Sequence, residues 1–350
     1  MKIISIISFL LLLNLNELNA QQQFNAKIMG KVIDSTTSLP ISDVNVFLSS
    51  TTLGSATDKD GRFEIDYVPE GSYVLVVSHV GYHWQSIPIK IINSEKIDIN
   101  FSLLPKEIYS SEVVVTAEEP EKWKNELKTF SEEFIGSDEL SDYCKILNPE
   151  VLNFNEDESK NILTASTDST IIIENYALGY RIELLLVKFE FKPNVKIQFL
   201  VLPKFLLLKP KDENEEKNWE INRLYCYKGS LRHFLSAVAR NKIEEEGFKL
   251  LTGDLEKLIT GSGYYLDPEK LQISNDELTD HKRFYYHGYL EIEYLNSINN
   301  PPSILKFNSG YVLIDTLGNI YNQFPFDEYG YWTQDRISHM LPLNYIPTKK

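Results

Sequence analysis

Hydrophobic and polar residues alternate with a period of two from residue 26 to 117. Side chains of a strand point alternately to opposite faces, so this pattern predicts half-buried β-strands. An uninterrupted apolar run at 73–77 predicts one central strand. Turn residues separate the segments. Predicted strands lie at 27–33, 44–48, 61–66, 73–77, 87–92, 97–103 and 113–115. Short strands at this spacing predict an antiparallel β-sandwich of about seven strands over residues 24–117.

Four short motifs follow one another in this segment. They are Gly-Lys-Val-Ile-Asp at 30–34, Asp-Gly-Arg-Phe at 60–63, Gly-Ser-Tyr at 71–73 and Val-Gly-Tyr at 80–82. In this order they resemble the carboxypeptidase regulatory-like domain, a transthyretin-like β-sandwich. In Bacteroidetes such a domain often precedes the plug of TonB-dependent receptors, where a strand similar to Glu-Val-Val-Val-Thr at 112–116 marks its end. The resemblance implies a fold and an accessory role, without an activity.

Beyond the sandwich the pattern changes to a mixture of periods. Trp123, Leu127 and Phe130 have helical spacing, which predicts a linker helix at 118–135. Helices are also predicted at 219–227 and 230–246. Strands are predicted within 164–208 and at 285–295, 304–307 and 311–315. Residues 136–350 are therefore predicted to form an α+β domain.

Three segments of this second region resemble the downstream part of Bacteroidetes proteins that carry the same N-terminal module. They lie at 146–152, 173–181 and 227–235. No activity is established for that family, so the resemblance implies an architecture and no mechanism.

The first twenty residues have the pattern of a secretory signal peptide. Lys2 precedes an apolar run at 3–15, and a polar stretch ends at the small residue Ala20. We expect cleavage after Ala20. No later apolar run is long enough for a membrane-spanning helix, so we expect no integral membrane segment after cleavage.

Composition narrows the class of partner. The net charge is −15, and acidic and basic residues are mixed along the chain. Nucleic-acid binding needs clustered Lys and Arg, so we expect no nucleic-acid partner. The two cysteines, Cys144 and Cys226, could form a disulfide in an exported protein or could each be a small buried apolar residue.

The sequence lacks the motifs of zinc carboxypeptidases and of several other enzyme classes. No histidine is followed three residues later by glutamate, so the His-x-x-Glu motif of zinc carboxypeptidases is absent. Gly-x-Ser-x-Gly, phosphate-binding loops and dinucleotide motifs are also absent. We predict no catalytic residues, no metal site and no cofactor.

Two groups of residues remain as site hypotheses. Tyr329, Tyr331 and Trp332 lie in a segment that contains Gly and Asp, and we expect an exposed loop there, since exposed aromatic rings bind sugars or protein partners. The alternative is a hydrolase with its site around Arg181, Arg232 and His233. His233 adjoins the apolar stripe of its predicted helix, a position that favours a structural histidine.

The sequence thus favours a non-enzymatic binding or assembly protein of the bacterial cell envelope. We expect export to the periplasm or association with the outer membrane. The sandwich would serve as an accessory or interaction module. The partner would be an envelope protein or a glycan.

Overall fold

The structure, a computed structural model, describes residues 25–92, 96–106, 119–277, 281–297, 301–321 and 325–347. The described residues contain 22 β-strands and four α-helices. The predicted signal peptide at 1–20 and the last predicted sandwich strand at 113–115 lie outside the described residues. The predicted fold class is confirmed, because an all-β sandwich is followed by a region of mixed sheets and helices.

The N-terminal module is built from two sheets packed face to face. Its strands are β1 (Asn25–Asp34), β2 (Asn45–Leu48), β3 (Gly54–Ala56), β4 (Arg62–Pro69), β5 (Gly71–Ser78), β6 (Gln85–Ile91), β7 (Lys96–Asp98) and β8 (Phe101–Leu103). In one sheet β1 pairs with β4 antiparallel and with β7 and β8 parallel. The other sheet has the order β3-β2-β5-β6.

The alternating residues of both sheets meet in one apolar core. Ile28 and Val32 on β1 and Leu48 and Leu75 on the opposite sheet are fully buried. The strand predicted at 97–103 is divided into β7 and β8. The cause is local, because the Asn100 side-chain oxygen accepts a hydrogen bond from the Lys31 backbone N–H at 2.8 Å, in place of a ladder carbonyl.

A second core forms around a six-stranded sheet. Its elements are α1 (Glu119–Phe134), β9 (Cys144–Ile146), β10 (Leu152–Asp157), β11 (Ile162–Thr167), β12 (Ile171–Asn175), β13 (Tyr180–Lys192) and β14 (Lys196–Leu207). The strand order is β10-β11-β13-β12-β9, and β14 pairs with β13 along its length. Phe130 and Phe134 of α1 are fully buried, and Phe130 lies 4.7 Å from Phe189 between ring centroids. The helix predicted as a linker therefore belongs to this core.

Helix α2 (Glu213–Tyr227) follows β14 and packs on the second core through Cys226. A third core forms around α3. Its elements are α3 (Leu231–Ala239), β15 (Phe248–Gly253), α4 (Leu255–Ile259), β16 (Tyr264–Tyr265), β17 (Gln272–Asn275), β18 (Lys282–Tyr285), β19 (Tyr289–Tyr294), β20 (Ser303–Phe307), β21 (Val312–Ile314) and β22 (Phe326–Gly330). The sheets have the orders β16-β15-β19-β20-β22 and β17-β18-β21.

Helix α3 is shorter than the predicted helix at 230–246. It begins at the expected N-cap, where the Ser230 hydroxyl accepts from the His233 backbone N–H. It ends before Gly247, because Asn241 adopts a φ of +54°. The Lys242 N–H then bonds to the Ala237 carbonyl at 2.8 Å, and the Asn241 N–H bonds to that of Val238 at 3.0 Å. This is a Schellman ending with asparagine in the position that usually favours glycine.

The sandwich is joined to the six-stranded sheet by an apolar seam. Phe47 and Val76 point away from the sandwich core and pack on Leu185 of β13, and all three side chains are at most 6% exposed. Backbone bonds extend the seam. The Ser50 N–H donates to the Pro203 carbonyl at 2.6 Å, and the Phe205 N–H donates to that of Thr51 at 2.9 Å.

We expect Leu185→Ala to destabilise the protein by about 2–4 kcal/mol, because it removes a buried side chain and leaves a cavity at the seam. Urea unfolding monitored by circular dichroism measures this change. Val187→Ala, on the same strand at a side chain that is 43% exposed, is the matched control and should change stability by about 0.5 kcal/mol or less. Equal effects of the two substitutions would show that the seam contributes no stability.

Candidate ligand-binding cleft

A cleft of about 1170 Å³ opens between the sandwich and the six-stranded sheet, beside the apolar seam. One wall is the segment 78–84 with 104–106 of the sandwich. The other consists of the β11–β12 connection at 167–170 and of Leu185 and Leu186 on β13. Its volume is slightly above the usual range for small-molecule sites, which is about 300–1,000 Å³.

The segment that carries the sandwich wall is held in place by its own hydrogen bonds. The Tyr82 hydroxyl donates to Asp34 Oδ2 at 2.9 Å. The His83 N–H donates to the Leu104 carbonyl at 2.9 Å, and the Lys106 N–H donates to the Gly81 carbonyl at 2.9 Å. The pKa of Asp34 lies below its ordinary value because its carboxylate accepts hydrogen bonds. The Thr37 backbone N–H has the largest effect, and the Tyr82 hydroxyl adds to it.

Trp84 is the aromatic residue presented by this wall. It is 39% exposed, and Leu104 and Val80 beside it are 57% and 80% exposed. Trp84 directly precedes β6, whose odd-numbered residues are less exposed than its even-numbered residues. Trp84 therefore has the same parity as the exposed, even-numbered residues of the strand. Sequence reasoning missed this residue, although the alternation of 85–91 contains the signal.

Polar groups flank the tryptophan on both sides of the cleft. Asp43 and Asn45 lie at the start of β2, and Asp168 lies in the β11–β12 connection. Lys204 donates to Asn45 Oδ1 at 3.1 Å, and burial lowers the pKa of its ammonium group. The Lys106 ammonium donates to the Asp168 carbonyl and ties the two walls together.

The structure corrects the expectation that all three residues of the aromatic hypothesis lie in an exposed loop. Trp332 is 4% exposed, and its indole N–H donates to the Gly229 carbonyl at 2.8 Å. Tyr331 is half-buried, and burial raises the pKa of its hydroxyl to about 12. Tyr329 lies on β22, with its ring 6.3 Å from that of Tyr289. The short turn after β22 directs Trp332 inward, so it is a core residue.

Arg232, from the alternative hypothesis, holds the C-terminal segment. Its guanidinium donates to the carbonyls of Leu317, Pro342, Leu343 and Tyr345 at 2.6–3.1 Å. Leu343 in turn donates its N–H to the Ser50 carbonyl of the sandwich at 2.6 Å. Four of the five N–H donors of Arg232 are therefore occupied by main-chain acceptors.

His233 is completely buried and has partners on both ring nitrogens. Nδ1 accepts from the Gly229 N–H at 3.0 Å, so the neutral ring carries its proton on Nε2, which faces Glu246 Oε2 at 3.2 Å. Burial is the main cause that lowers the pKa of His233 to about 4. The other charged groups that act on it are Glu246, Lys228 and Arg240.

Arg181 lies elsewhere in the structure. It is on β13, with ion pairs to Glu174 at 3.9 Å and Glu183 at 3.4 Å. Nothing in the described contacts joins it to His233. The three residues of the hydrolase hypothesis thus have separate structural partners, and the described geometry does not assemble them into a catalytic group.

Three further observations concern metals, thiols and membranes. No cluster of three or more His, Cys, Asp or Glu side chains in the described ranges has the arrangement of a metal site. Cys144 and Cys226 are free, and both pack on the second core. None of the described helices has the length and apolar character needed to cross a membrane.

Comparison with known proteins identifies the N-terminal module. Residues 28–115 match the family model of the CarboxypepD_reg-like domain. The TonB-dependent receptor P39 of Formosa agariphila is 44% identical over 75 residues, which are 21% of this chain and 7% of the receptor. The resemblance drawn from the sequence is confirmed for this module, and the relative belongs to the Bacteroidetes. The chain spans only a small part of that receptor's length.

The similarity of this chain to solved structures is lower. The 5-hydroxyisourate hydrolase of Klebsiella pneumoniae is 20% identical and aligns over 23% of this chain and 92% of its own, with a TM-score of 0.20. A putative carbohydrate binding protein of Bacteroides uniformis is 11% identical over 52% of this chain and 79% of its own, also with a TM-score of 0.20. At these scores neither structure bears on function.

We expect Arg232→Met to release the C-terminal segment, because it leaves partly buried carbonyls without their donor, at a cost of up to about 1–3 kcal/mol each. Limited proteolysis followed by mass spectrometry should show new cleavage within 340–347. Arg240→Met, about two turns further along at the C-cap of α3 and bonded to Ser236 and Glu246, is the control and should leave the segment protected. Protection of the segment in the Arg232 variant would contradict this role.

His233 should make stability depend on pH. Its pKa is about 4 in the folded chain and about 6.5 when unfolded, so between these values the unfolded chain binds more protons. Stability is therefore lost as pH falls from 6.5 to 4, by on the order of 3 kcal/mol from this group. Urea unfolding at pH 7, 5.5 and 4.5 measures the slope. His233→Gln does not titrate and should have a shallower slope, whereas equal slopes would contradict the assignment.

Proposed function

We propose that this chain is a non-enzymatic binding protein of the bacterial cell envelope, and that the cleft between the sandwich and β13 is its recognition site. The sandwich would be an interaction module, as the sequence suggested, with the six-stranded sheet as the opposite wall of the site. The protein would act in the periplasm or at the outer membrane.

The observation that carries the proposal is the exposed indole of Trp84 in a preformed cleft. A tryptophan side chain that is 39% exposed leaves apolar surface that a ligand can cover, and the surrounding residues 81–83 and 104–106 are held by backbone bonds. A rigid wall with an exposed ring and flanking polar groups is typical of binding sites, because little entropy is lost when the ligand binds.

The envelope location rests on separate support. The matched relative is a TonB-dependent receptor that is similar to this chain over 75 residues. The predicted signal peptide at 1–20 adds the expectation of export. The hydrolase alternative has less support, because Arg232 and His233 are used to hold the C-terminal segment and the third core.

We expect the immobilised full chain to retain a component of the Bacteroidetes envelope fraction, and Trp84→Ala to abolish that retention, because the variant removes the apolar surface of the cleft. The measurement is a pull-down analysed by mass spectrometry and by sugar analysis. Tyr67→Ala removes another exposed aromatic ring, one that is 76% exposed and outside the cleft. It should retain the component as the wild type does.

Two outcomes would overturn the proposal. Retention that survives Trp84→Ala but is lost with Tyr329→Ala would move the recognition site to the face of β22. Turnover of peptide, ester or glycoside substrates that is lost in His233→Ala, with the fold preserved, would favour the hydrolase.

A further inference from the structure

We infer that the ligand of the cleft is a neutral saccharide chain, bound by stacking on Trp84 and by hydrogen bonds from the Asp43–Asn45 pair to two adjacent hydroxyl groups. This inference rests on the proposed function and adds the chemical class of the ligand.

The orientation of the Asn45 amide is determined by its neighbour. A lysine ammonium group only donates hydrogen bonds, so the group that faces Lys204 at 3.1 Å must be the carbonyl oxygen Oδ1 of Asn45. The NH₂ group is then directed away from Lys204. Asn45 lines the cleft, and its amide is consequently a donor with a defined direction.

Asp43 places an acceptor two residues away from this donor. Its backbone N–H donates to the Thr57 carbonyl at 3.0 Å, and its φ of +59° lies in the left-handed region that aspartate tolerates better than most residues. The side chain is exposed at the cleft. A carboxylate accepts and an amide NH₂ donates, so together they match two neighbouring hydroxyl groups, of which one donates and the other accepts.

His79 supplies a second donor on the sandwich wall. Its Nδ1 accepts from the Gly81 N–H at 3.1 Å, so the neutral imidazole carries its proton on Nε2. The ring is packed edge-on against Tyr82 at 5.3 Å between centroids, which fixes its plane. Donors and acceptors thus accompany the indole of Trp84, and a sugar offers apolar C–H faces together with hydroxyl groups of both kinds.

The backbone around the cleft argues against an extended peptide as the ligand. A peptide that adds to a sheet needs a strand edge with free N–H and C=O groups. On the sandwich wall, β2 lies between β3 and β5, and the segment 81–83 is already bonded to 104–106. On the opposite wall, β13 pairs with β14 at Leu185 and Leu186, and its pairing with β12 ends at Leu184. Recognition by the sandwich wall must therefore come from side chains.

The charges argue against an anionic ligand. The carboxylates of Asp43 and Asp168 line opposite walls, and Lys106 between them is bonded to the Asp168 carbonyl. An anionic polymer would meet like charge on both sides. The volume of about 1170 Å³ has room for several sugar residues.

The test measures binding of a defined panel to the full chain by isothermal titration calorimetry and by quenching of tryptophan fluorescence. The probes are 1,4-linked hexasaccharides of glucose, xylose, mannose and galactose. Within the chain these have adjacent free hydroxyl groups at positions 2 and 3. The matched control is 1,3-linked glucohexaose, whose internal residues lack that pair. Polygalacturonate and hexalysine represent anionic and cationic ligands.

We expect at least one 1,4-linked probe to bind and the 1,3-linked control to bind at least tenfold more weakly. Periodate oxidation followed by borohydride reduction destroys the adjacent hydroxyl groups, and it should remove binding of the same probe. Trp84→Ala should weaken binding at least tenfold.

Asn45→Asp is the decisive variant. It keeps an oxygen acceptor for Lys204 and replaces the amide donor with a second carboxylate oxygen, which adds one negative charge beside the lysine. We expect a five- to tenfold loss of affinity in Asn45→Asp, and no loss in Asp60→Asn, which changes an exposed carboxylate in the β3–β4 turn. Unchanged affinity in Asn45→Asp would overturn the role of the pair.

Failure of this inference can be separated from failure of the proposed function. If no 1,4-linked probe binds while an envelope component is still retained through Trp84, the saccharide inference is wrong and the cleft remains the recognition site. Tight binding of hexalysine or polygalacturonate with no binding of the neutral panel overturns the inference in the same way. If neither the panel nor the envelope fraction shows binding that depends on Trp84, both proposals fail.

Discussion

The apolar contact of Phe47 and Val76 with Leu185 is the constraint on which the rest of the structure depends. It arises because β2 and β5 carry apolar side chains on both faces. Val46 and Val77 point into the sandwich core, and Phe47 and Val76 point to the six-stranded sheet. Burial of each side chain contributes about 1.5–3 kcal/mol. The contact places the two walls of the cleft opposite each other, since each wall belongs to a different sheet.

Arg232 provides the second connection between the parts of the molecule. Four main-chain carbonyls, three of them in the C-terminal segment, accept from one guanidinium group. That segment continues to the sandwich through Leu343 and Ser50, and Asn344 donates to the Thr52 hydroxyl at 2.7 Å. A side chain with five donors in a planar fork suits this task, because it satisfies several fixed acceptors for one loss of side-chain entropy.

The cleft differs from the rest of the surface in the way that it can recognise a ligand. The sandwich wall uses the backbone groups of β2 and of residues 81–83 for its own hydrogen bonds, so recognition by that wall comes from side chains. Those side chains combine an exposed indole with oriented donors and acceptors, while His233, Arg232 and Trp332 serve the cores. His233, on an apolar stripe, and Trp332, predicted in a loop, are structural residues. Their rings are buried, and their ring N–H or N atoms are hydrogen-bonded to the backbone.

The period-two alternation and the turn residues of 26–103 were sufficient to predict the sandwich, because alternation determines which face of a strand is buried. The helix at α1 and the N-cap at Ser230 were equally local signals. The end of α3 was not, because the left-handed residue that ends the helix is Asn241, six residues before Gly247, which also has a positive φ of +87°.

The cleft itself could be identified only from the tertiary structure. The run at 73–77 indicated that both faces of a strand are covered, and it carried no information about which segment covers them. The alternation in β6 predicts that the Trp84 side chain, directly before it, is exposed. That Trp84 lines the same cleft as residues 167–170 depends on the packing of Phe47 against Leu185. Contacts between residues more than a hundred positions apart are selected by the combined shape and hydrogen bonding of two folded surfaces, and no local pattern in the sequence encodes that match.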